Sequence, residues 1–317
     1  MFFSKKLYNK IISLSNAFFG LQKKAETVIL ENMNSCTLCP LACGVDRTKQ
    51  SGYCGVQSLN IAKYYLHPYE EPCISFEKGS GTVFFTGCNL RCVFCQNYEL
   101  SRVKRGKEIT VQDLADIFRE LEDMGAENIN LVTPSHVVQP IVRALEIYKP
   151  KIPLVYNSHG YEKIQTLKMI DGFVDIYLPD LKFYSSALSK RYTGREDYFE
   201  YASEAVQFMA KKPLVMRADG KMLSGCIVRH LILPLCAQDS VKIVRWVKEN
   251  LPQSVYFSLM RQYTPFGEIE SYPELKRKIT AREYAQVLDC VREIGLENVF
   301  LQDGESADTL FIPKWEY

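Results

Sequence analysis

From about residue 81 to residue 301, short apolar runs alternate with segments of helical period. Gly81–Thr86, Ile129–Thr133, Pro153–Tyr156, Val174–Leu178, Ile227–Leu233, Val255–Met260 and Val299–Leu301 read as strands. Between them, Val111, Leu114, Ile117, Phe118, Leu121 and Met124 recur at helical spacing, with Thr110 placed as an N-cap and Gly125 as a stop. Further helices are expected near Val137–Tyr148, Tyr161–Ile170, Tyr198–Lys211 and Ser240–Leu251. Thr280 and Glu283 form a capping-box pair before a last helix. Strict alternation leaves little choice of fold: an α/β chain with a parallel sheet and right-handed crossovers. Seven strands are too few for a closed eightfold barrel, whereas a partial barrel and a doubly wound sheet both fit. In either case chemistry is expected at the C-terminal ends of the strands.

Composition matters chiefly through cysteine. There are 11 cysteines among 317 residues, an odd number well below a disulfide-scaffold density. Three of them stand in FTGCNLRCVFCQN, directly after the first expected strand: Cys88, Cys92 and Cys95. Three thiolates on one loop can bind three irons of a cubane 4Fe-4S cluster and leave the fourth iron open to a substrate or cofactor. Zinc would need a fourth ligand from elsewhere.

The C-x3-C-x2-C spacing, the aromatic Phe94 before the last cysteine and the preceding strand together resemble the radical S-adenosylmethionine superfamily. The resemblance covers roughly residues 76–303. It implies a partial (β/α)6 barrel, and a methionyl amino and carboxylate group chelating the open iron. It also implies reductive cleavage of S-adenosylmethionine to methionine and a 5′-deoxyadenosyl radical, which abstracts hydrogen from a substrate. VDIYLPDLK at Val174–Lys182, NSHGY at Asn157–Tyr161, VRHLILP at Val228–Pro234 and the phrases NINLVTP and QYTP look like the pyruvate formate-lyase activating enzyme-like branch. That branch has no firmly assigned substrate: a glycyl-radical protein, another protein or a small molecule all fit, with an external electron donor such as flavodoxin or ferredoxin.

The resemblance also assigns residues. Cys88, Cys92 and Cys95 match the cluster ligands, and Phe94 matches the residue near the adenine. Ser158 matches a polar position near the cofactor. Asp180 and Lys182 match the acidic and basic pair near the methionine carboxylate and ribose, and otherwise read as a surface ion pair of small value. Arg229, followed by His230, is a weaker match on the fifth strand. His230 otherwise reads as a hydrogen-bonded core histidine, while His136 and His159 lie just past strand ends. The chain departs from the family where a Gly-Gly-Glu-type motif usually grips the cofactor's amino group. Val132-Thr133-Pro134-Ser135 stands there, so the Thr133 hydroxyl or a strand-end carbonyl is the expected acceptor. Asn157 replaces an aspartate, and Pro234-Leu235 replaces Pro-Gly.

A second cysteine group, Cys36, Cys39, Cys43 and Cys54, lies in CTLCPLACGVDRTKQSGYCG. So little apolar content needs a metal to fold, and four thiolates can hold a second 4Fe-4S cluster or a structural zinc. Cys73, Cys226, Cys236 and Cys290 are expected as small buried hydrophobes. Two domains are expected: residues 1–75, a helix plus the Cys-rich extension, and residues 76–317, the barrel. The apolar stretch Met1–Leu21 is broken by Lys5, Lys6 and Lys10 and reads as an amphipathic helix, not as a span or signal peptide. With 39 basic and 37 acidic residues, no footprint for nucleic acid exists. A cytoplasmic enzyme with no membrane partner is the expectation. The competing functions are a non-catalytic iron–sulfur electron carrier or sensor, and a zinc-stabilised interaction module on an inactive barrel.

Overall fold

The structure, a computed structural model, describes residues 35–103 and 105–302. The expected helix in Met1–Leu21 lies outside them. The elements in order are β1 (Asn60–His67), α1 (Pro72–Ser75), β2 (Ser80–Phe85), β3 (Lys107–Glu108), α2 (Val111–Asp123), β4 (Ile129–Val132), α3 (Val138–Ile147), β5 (Leu154–Ser158) and α4 (Ile164–Ile170). They continue with β6 (Ile176–Pro179), α5 (Ser186–Thr193), α6 (Tyr198–Met209), β7 (Val215–Met216), β8 (Met222–Leu231), α7 (Ala237–Asn250), β9 (Tyr256–Met260), α8 (Ala281–Glu293) and β10 (Val299–Leu301).

One ten-stranded sheet runs β10-β9-β8-β6-β5-β4-β2-β1-β3, with β7 paired to β8. All neighbours from β10 to β2 are parallel. The α/β class and the parallel sheet follow the alternation seen in the sequence. The sheet path ends at β10 and β3, so the barrel is not closed. Its far edge is finished by the antiparallel strands β1 and β3. Residues 60–67 therefore belong to the main sheet, and Asn60–His67 was not read as a strand because it carries five polar or basic positions on a half-exposed edge. The helix Ser186–Thr193 was also not expected. Its apolar signal is weak, and its end is set by Gly194 in the left-handed conformation (φ 73°).

The strands read as continuous apolar runs because both faces are covered. Every residue of β2 is buried, and α2 lays Leu114, Phe118 and Leu121 on the sheet with no exposure. The α2 start is closed at both ends of a capping box: the Asp113 amide donates to Thr110 Oγ1 (3.1 Å) and the Thr110 amide to Asp113 Oδ2 (2.8 Å). Thr280 and Glu283 do the same at α8. Each such cap contributes roughly 1 kcal/mol. Among the described residues no helix is long and apolar enough to cross a membrane.

Candidate functional site

A cavity opens at the C-terminal ends of the parallel strands. Cys88, Cys92, Cys95 and Phe94 line it from the loop after β2, Thr133 from β4, Ser158 from β5, Asp180 and Lys182 from β6, and Arg229 from β8. Every residue assigned to cluster or cofactor by the first motif and its resemblance thus faces one space. The second cysteine group does not; it packs behind the loop, on the far side of Gly87.

The cysteine loop is held at several points. Cys88 N donates to the Cys54 carbonyl (3.1 Å), Val93 N to the Tyr192 carbonyl (3.0 Å), and Arg102 Nη2 to the Arg91 carbonyl (2.6 Å). Asn89, between the first two cysteines, is fixed by His159: the imidazole Nε2 pairs with Asn89 Oδ1 at 2.7 Å while Nδ1 accepts from Tyr161 N at 3.1 Å. That pattern assigns the Nε2–H tautomer. Burial holds His159 neutral by depressing it to about 3. Burial likewise pushes the Cys88 thiol up to about 11 and raises Cys92 and Cys95. Such thiols must lose their protons when they bind metal, so loading releases protons. The Lys182 ammonium lies close enough to favour that loss at all three.

Phe94 is edge-on to Phe183, Tyr192 and Tyr263, with centroids 6.0, 6.2 and 6.5 Å away. These neighbours fix its ring at the cavity wall, and Tyr263 shares that wall. Thr133 adopts φ 58°, the left-handed region. That conformation is costly for a β-branched residue and persists only where its surroundings impose it, which happens most often at functional sites. The Thr133 amide donates to the Asn157 carbonyl (2.9 Å), which continues the β4–β5 pairing one residue past the end of β4.

On the opposite wall stands a buried charge network. Arg229 Nε donates to Asp180 Oδ1 (2.8 Å), Nη2 to Asn157 Oδ1 (2.5 Å) and Nη1 to Glu70 Oε2 (3.2 Å). Lys182 Nζ donates to Asp180 Oδ2 (2.7 Å). Glu70 Oε1 accepts from Asn130 (3.0 Å) and Asn157 (3.4 Å). The reading of Asp180 and Lys182 as a surface pair is thereby corrected: each side chain is only 17% exposed. Burial alone would raise the Asp180 carboxyl, but Arg229 and Lys182 outweigh it and hold it below the ordinary value. Burial raises Glu70 despite Arg229.

Sequence reasoning missed Glu70, a cavity-lining residue brought from the loop after β1. Nothing local in HPYEEP marks it; its partners lie 60 to 159 positions away. It also missed Glu162, buried beneath Ser158. Glu162 Oε1 accepts from Ser158 Oγ (2.5 Å) and from Ser135 Oγ. Burial lifts this carboxyl to about 7. Asn157, singled out as a departure from the aspartate of the family, is the amide that ties Arg229 to Glu70. A neutral side chain suits that place, because it donates to one charged partner and accepts from the other.

His230 and His136 have structural roles. His230 bridges the Leu181 carbonyl (2.6 Å) and Ser240 Oγ (2.8 Å). His136 pairs with the Thr86 carbonyl (2.7 Å) and does not line the cavity. Cys73, Cys226, Cys236 and Cys290 are buried.

Comparison with known proteins agrees with the loop. Residues 82–214 match the family described as the radical SAM superfamily. Over those residues the chain is similar to the domains of that superfamily. That family implies a 4Fe-4S cluster and S-adenosylmethionine, and the donor set fits: three thiols on one loop, with a cation beside them, facing a cavity that has room and polar groups for a ligand. A curated protein of Methanocaldococcus jannaschii described as uncharacterized is 28% identical over 278 residues, covering 84% of this chain and 77% of its own length. Among solved structures, Streptococcus suis SuiB bound to precursor peptide SuiA matches with a TM-score of 0.46 and 15% identity, over 68% of this chain and 46% of SuiB. Methylornithine synthase matches at 0.43 and 13%, over 68% of each chain. A domain of a pyruvate-formate lyase-activating enzyme from Bacteroides vulgatus matches at 0.36 and 12%, over 61% of this chain and 91% of the domain. The chain spans less than half the length of SuiB.

Proposed function

We propose that the protein is a radical S-adenosylmethionine enzyme that generates a glycyl radical on a partner protein, with its electron supplied by a donor such as flavodoxin or ferredoxin. The observation that carries this reading is the convergence on one cavity of Cys88, Cys92 and Cys95 with Phe94, Thr133, Ser158, Asp180, Lys182 and Arg229. A 4Fe-4S cluster held by Cys88, Cys92 and Cys95 would supply the electron for reductive cleavage of S-adenosylmethionine. The protein's own groups bind and orient. Lys182, fixed by Asp180, offers a cation to the methionine carboxylate. The strained Thr133 turn offers a carbonyl or hydroxyl oxygen to the amino group. Phe94 and Tyr263 give the adenine a wall that excludes water. Support for the glycyl-radical partner comes from the phrases VDIYLPDLK, NSHGY and VRHLILP.

The test is anaerobic reconstitution with iron and sulfide, reduction, addition of S-adenosylmethionine and measurement of 5′-deoxyadenosine. No product at full cluster loading defeats the reading of a radical enzyme. Incubation with a glycyl-radical protein should then give the doublet of a glycyl radical by EPR. Product without that doublet keeps the radical chemistry and removes the partner.

A further inference from the structure

Helix α6 opens on two residues whose polar groups turn away from solvent towards the strand ends. Asp197 accepts from the Tyr161 hydroxyl (2.8 Å), and Tyr198, the first residue of the helix, is wholly buried. The Tyr198 hydroxyl stands at a junction of two strand ends. It accepts from Lys182 N (2.9 Å) and shares its own proton between the carbonyls of Asp180 and His159 (3.0 Å each). Burial holds the phenol protonated, well above its ordinary value. Between those contacts His230 grips the Leu181 carbonyl (2.6 Å), so the backbone of residues 180–182 is pinned at every position.

The same side chain reaches the cysteine loop. His159, whose carbonyl it holds, pairs its ring with Asn89 (2.7 Å), between Cys88 and Cys92. Asn89 Nδ2 donates in turn to the Tyr161 carbonyl (3.3 Å). The Tyr161 ring stacks on Tyr198, with centroids 6.1 Å apart and an angle of 24° between the planes. Asn89 is thus clamped by two residues that both rest on Tyr198. Gly160 lies between those two at φ 81°, where a side chain has no room: a methyl would stand 2.5 Å from the Asp180 carbonyl oxygen and 3.2 Å from the Tyr198 hydroxyl. The Tyr198 ring also meets Phe183 edge-on at 6.1 Å. A phenylalanine ring would make the same packing contacts; only the hydroxyl ties the ends of β5 and β6 together.

We propose that Tyr198 is a positioning residue for the cofactor site: its hydroxyl and ring hold Lys182 and the Cys88–Cys92 loop in one fixed arrangement, so that the cation and the metal-binding thiols meet S-adenosylmethionine together. The proposal rests on the reading of the cavity given above. Tyr198 does not itself line the cavity; it acts through Lys182, Asp180 and His159, which do. A buried tyrosine hydroxyl is satisfied by one partner. This one engages three backbone groups, and each belongs to a cavity residue. Removing the hydroxyl takes from the Lys182 amide the acceptor it has here. A buried amide left unpaired is costly, so the segment shifts until the amide finds another partner. The Lys182 ammonium shifts with it, and the clamp on Asn89 loosens as the His159 carbonyl is released.

The experiment compares the full wild-type chain with Tyr198→Phe, both reconstituted with iron and sulfide without oxygen. Calorimetric affinity for S-adenosylmethionine should be about tenfold weaker in Tyr198→Phe. In a Lys182→Met background the same change should cost about threefold or less, since one arm of Tyr198 then orients nothing. Hydrogen exchange at the Lys182 and Tyr161 amides should quicken in Tyr198→Phe by about tenfold more than at the amides of α2. Gly160→Ala, which wedges a methyl into the same junction, should weaken affinity in the same direction and serves if Tyr198→Phe does not fold. Affinity within about twofold of the wild type in a folded variant, or an equal loss with and without Lys182, overturns the positioning role. Exchange that quickens equally in α2 shows that the hydroxyl only stabilises the fold, and overturns it too. Local quickening in a protein whose wild type yields no 5′-deoxyadenosine leaves the hold of Tyr198 on Lys182 and the loop standing and removes the radical-enzyme reading instead.

Discussion

Arg229 is the centre of the charge network, and Arg229→Met tests it. The guanidinium is 15% exposed and neutralises two carboxylates, Asp180 at 2.8 Å and Glu70 at 3.2 Å. Asp180 keeps Lys182 when Arg229 is removed, whereas Glu70 keeps only two amide donors. Loss of one partner from a buried pair costs about 3–5 kcal/mol, because the remaining charge is uncompensated. The upper end of that range should not be reached. Burial already raises the Glu70 carboxyl, so in the variant it escapes the penalty by binding a proton. The variant should therefore lose about 3 kcal/mol at pH 8 and recover part of that loss as pH falls through the raised Glu70 value. The double change Glu70→Gln with Arg229→Met removes both charges and should regain most of the stability, a coupling of about 1–3 kcal/mol in a double-mutant cycle. Urea unfolding at pH 6 and pH 8, with the slope against urea checked for constancy, measures all four proteins. A loss below about 1 kcal/mol, or a double variant no better than Arg229→Met, refutes the argument that the network is a mutually dependent buried unit.

Other outcomes follow from the same geometry. Thr133→Gly removes the strain of φ 58° and should leave stability unchanged or raise it by up to about 1 kcal/mol. If the carbonyl is the group that meets the ligand, calorimetric affinity for S-adenosylmethionine survives the change; if the hydroxyl is, affinity falls. Gly87→Ala puts a methyl 2.6 Å from the Cys54 carbonyl at φ 89°, so it should open the contact between the two cysteine loops, seen as faster amide exchange at Cys88. His136 and His230 are each depressed by burial to about 4. The unfolded chain therefore takes up protons first: their contribution is intact above about pH 6.5, falls as pH drops towards 4, and amounts to roughly 3 kcal/mol for each. Urea midpoints between pH 7.5 and 4.5 should drop less steeply in His230→Gln than in the wild type.

Much of the molecule was legible because the signals are local. Cys88, Cys92 and Cys95 span eight residues after an apolar strand, and Thr110 with Asp113, like Thr280 with Glu283, sits within one helical turn. Strand β1 and helix α5 were not legible, since a half-exposed edge strand and a polar helix carry little apolar period. The helix α4 starts at Ile164, not Tyr161, because Tyr161 and Glu162 are turned inward to Asp197 and Ser158.

The sequence by itself determined the class of fold and the kind of donor set. Alternating apolar periods dictate parallel strands with helical crossovers, and closely spaced thiols dictate a metal loop wherever the rest of the chain goes. Only the tertiary structure decided the company those thiols keep. It set Glu70 against Arg229 across 159 positions, tied Asp180 and Lys182 into a buried network, and joined Cys54 to Cys88 by a single hydrogen bond. The reason is physical. Periodicity and capping act over a few residues and leave a trace in the chain, whereas desolvation and charge pairing depend on which distant strands and loops are packed together.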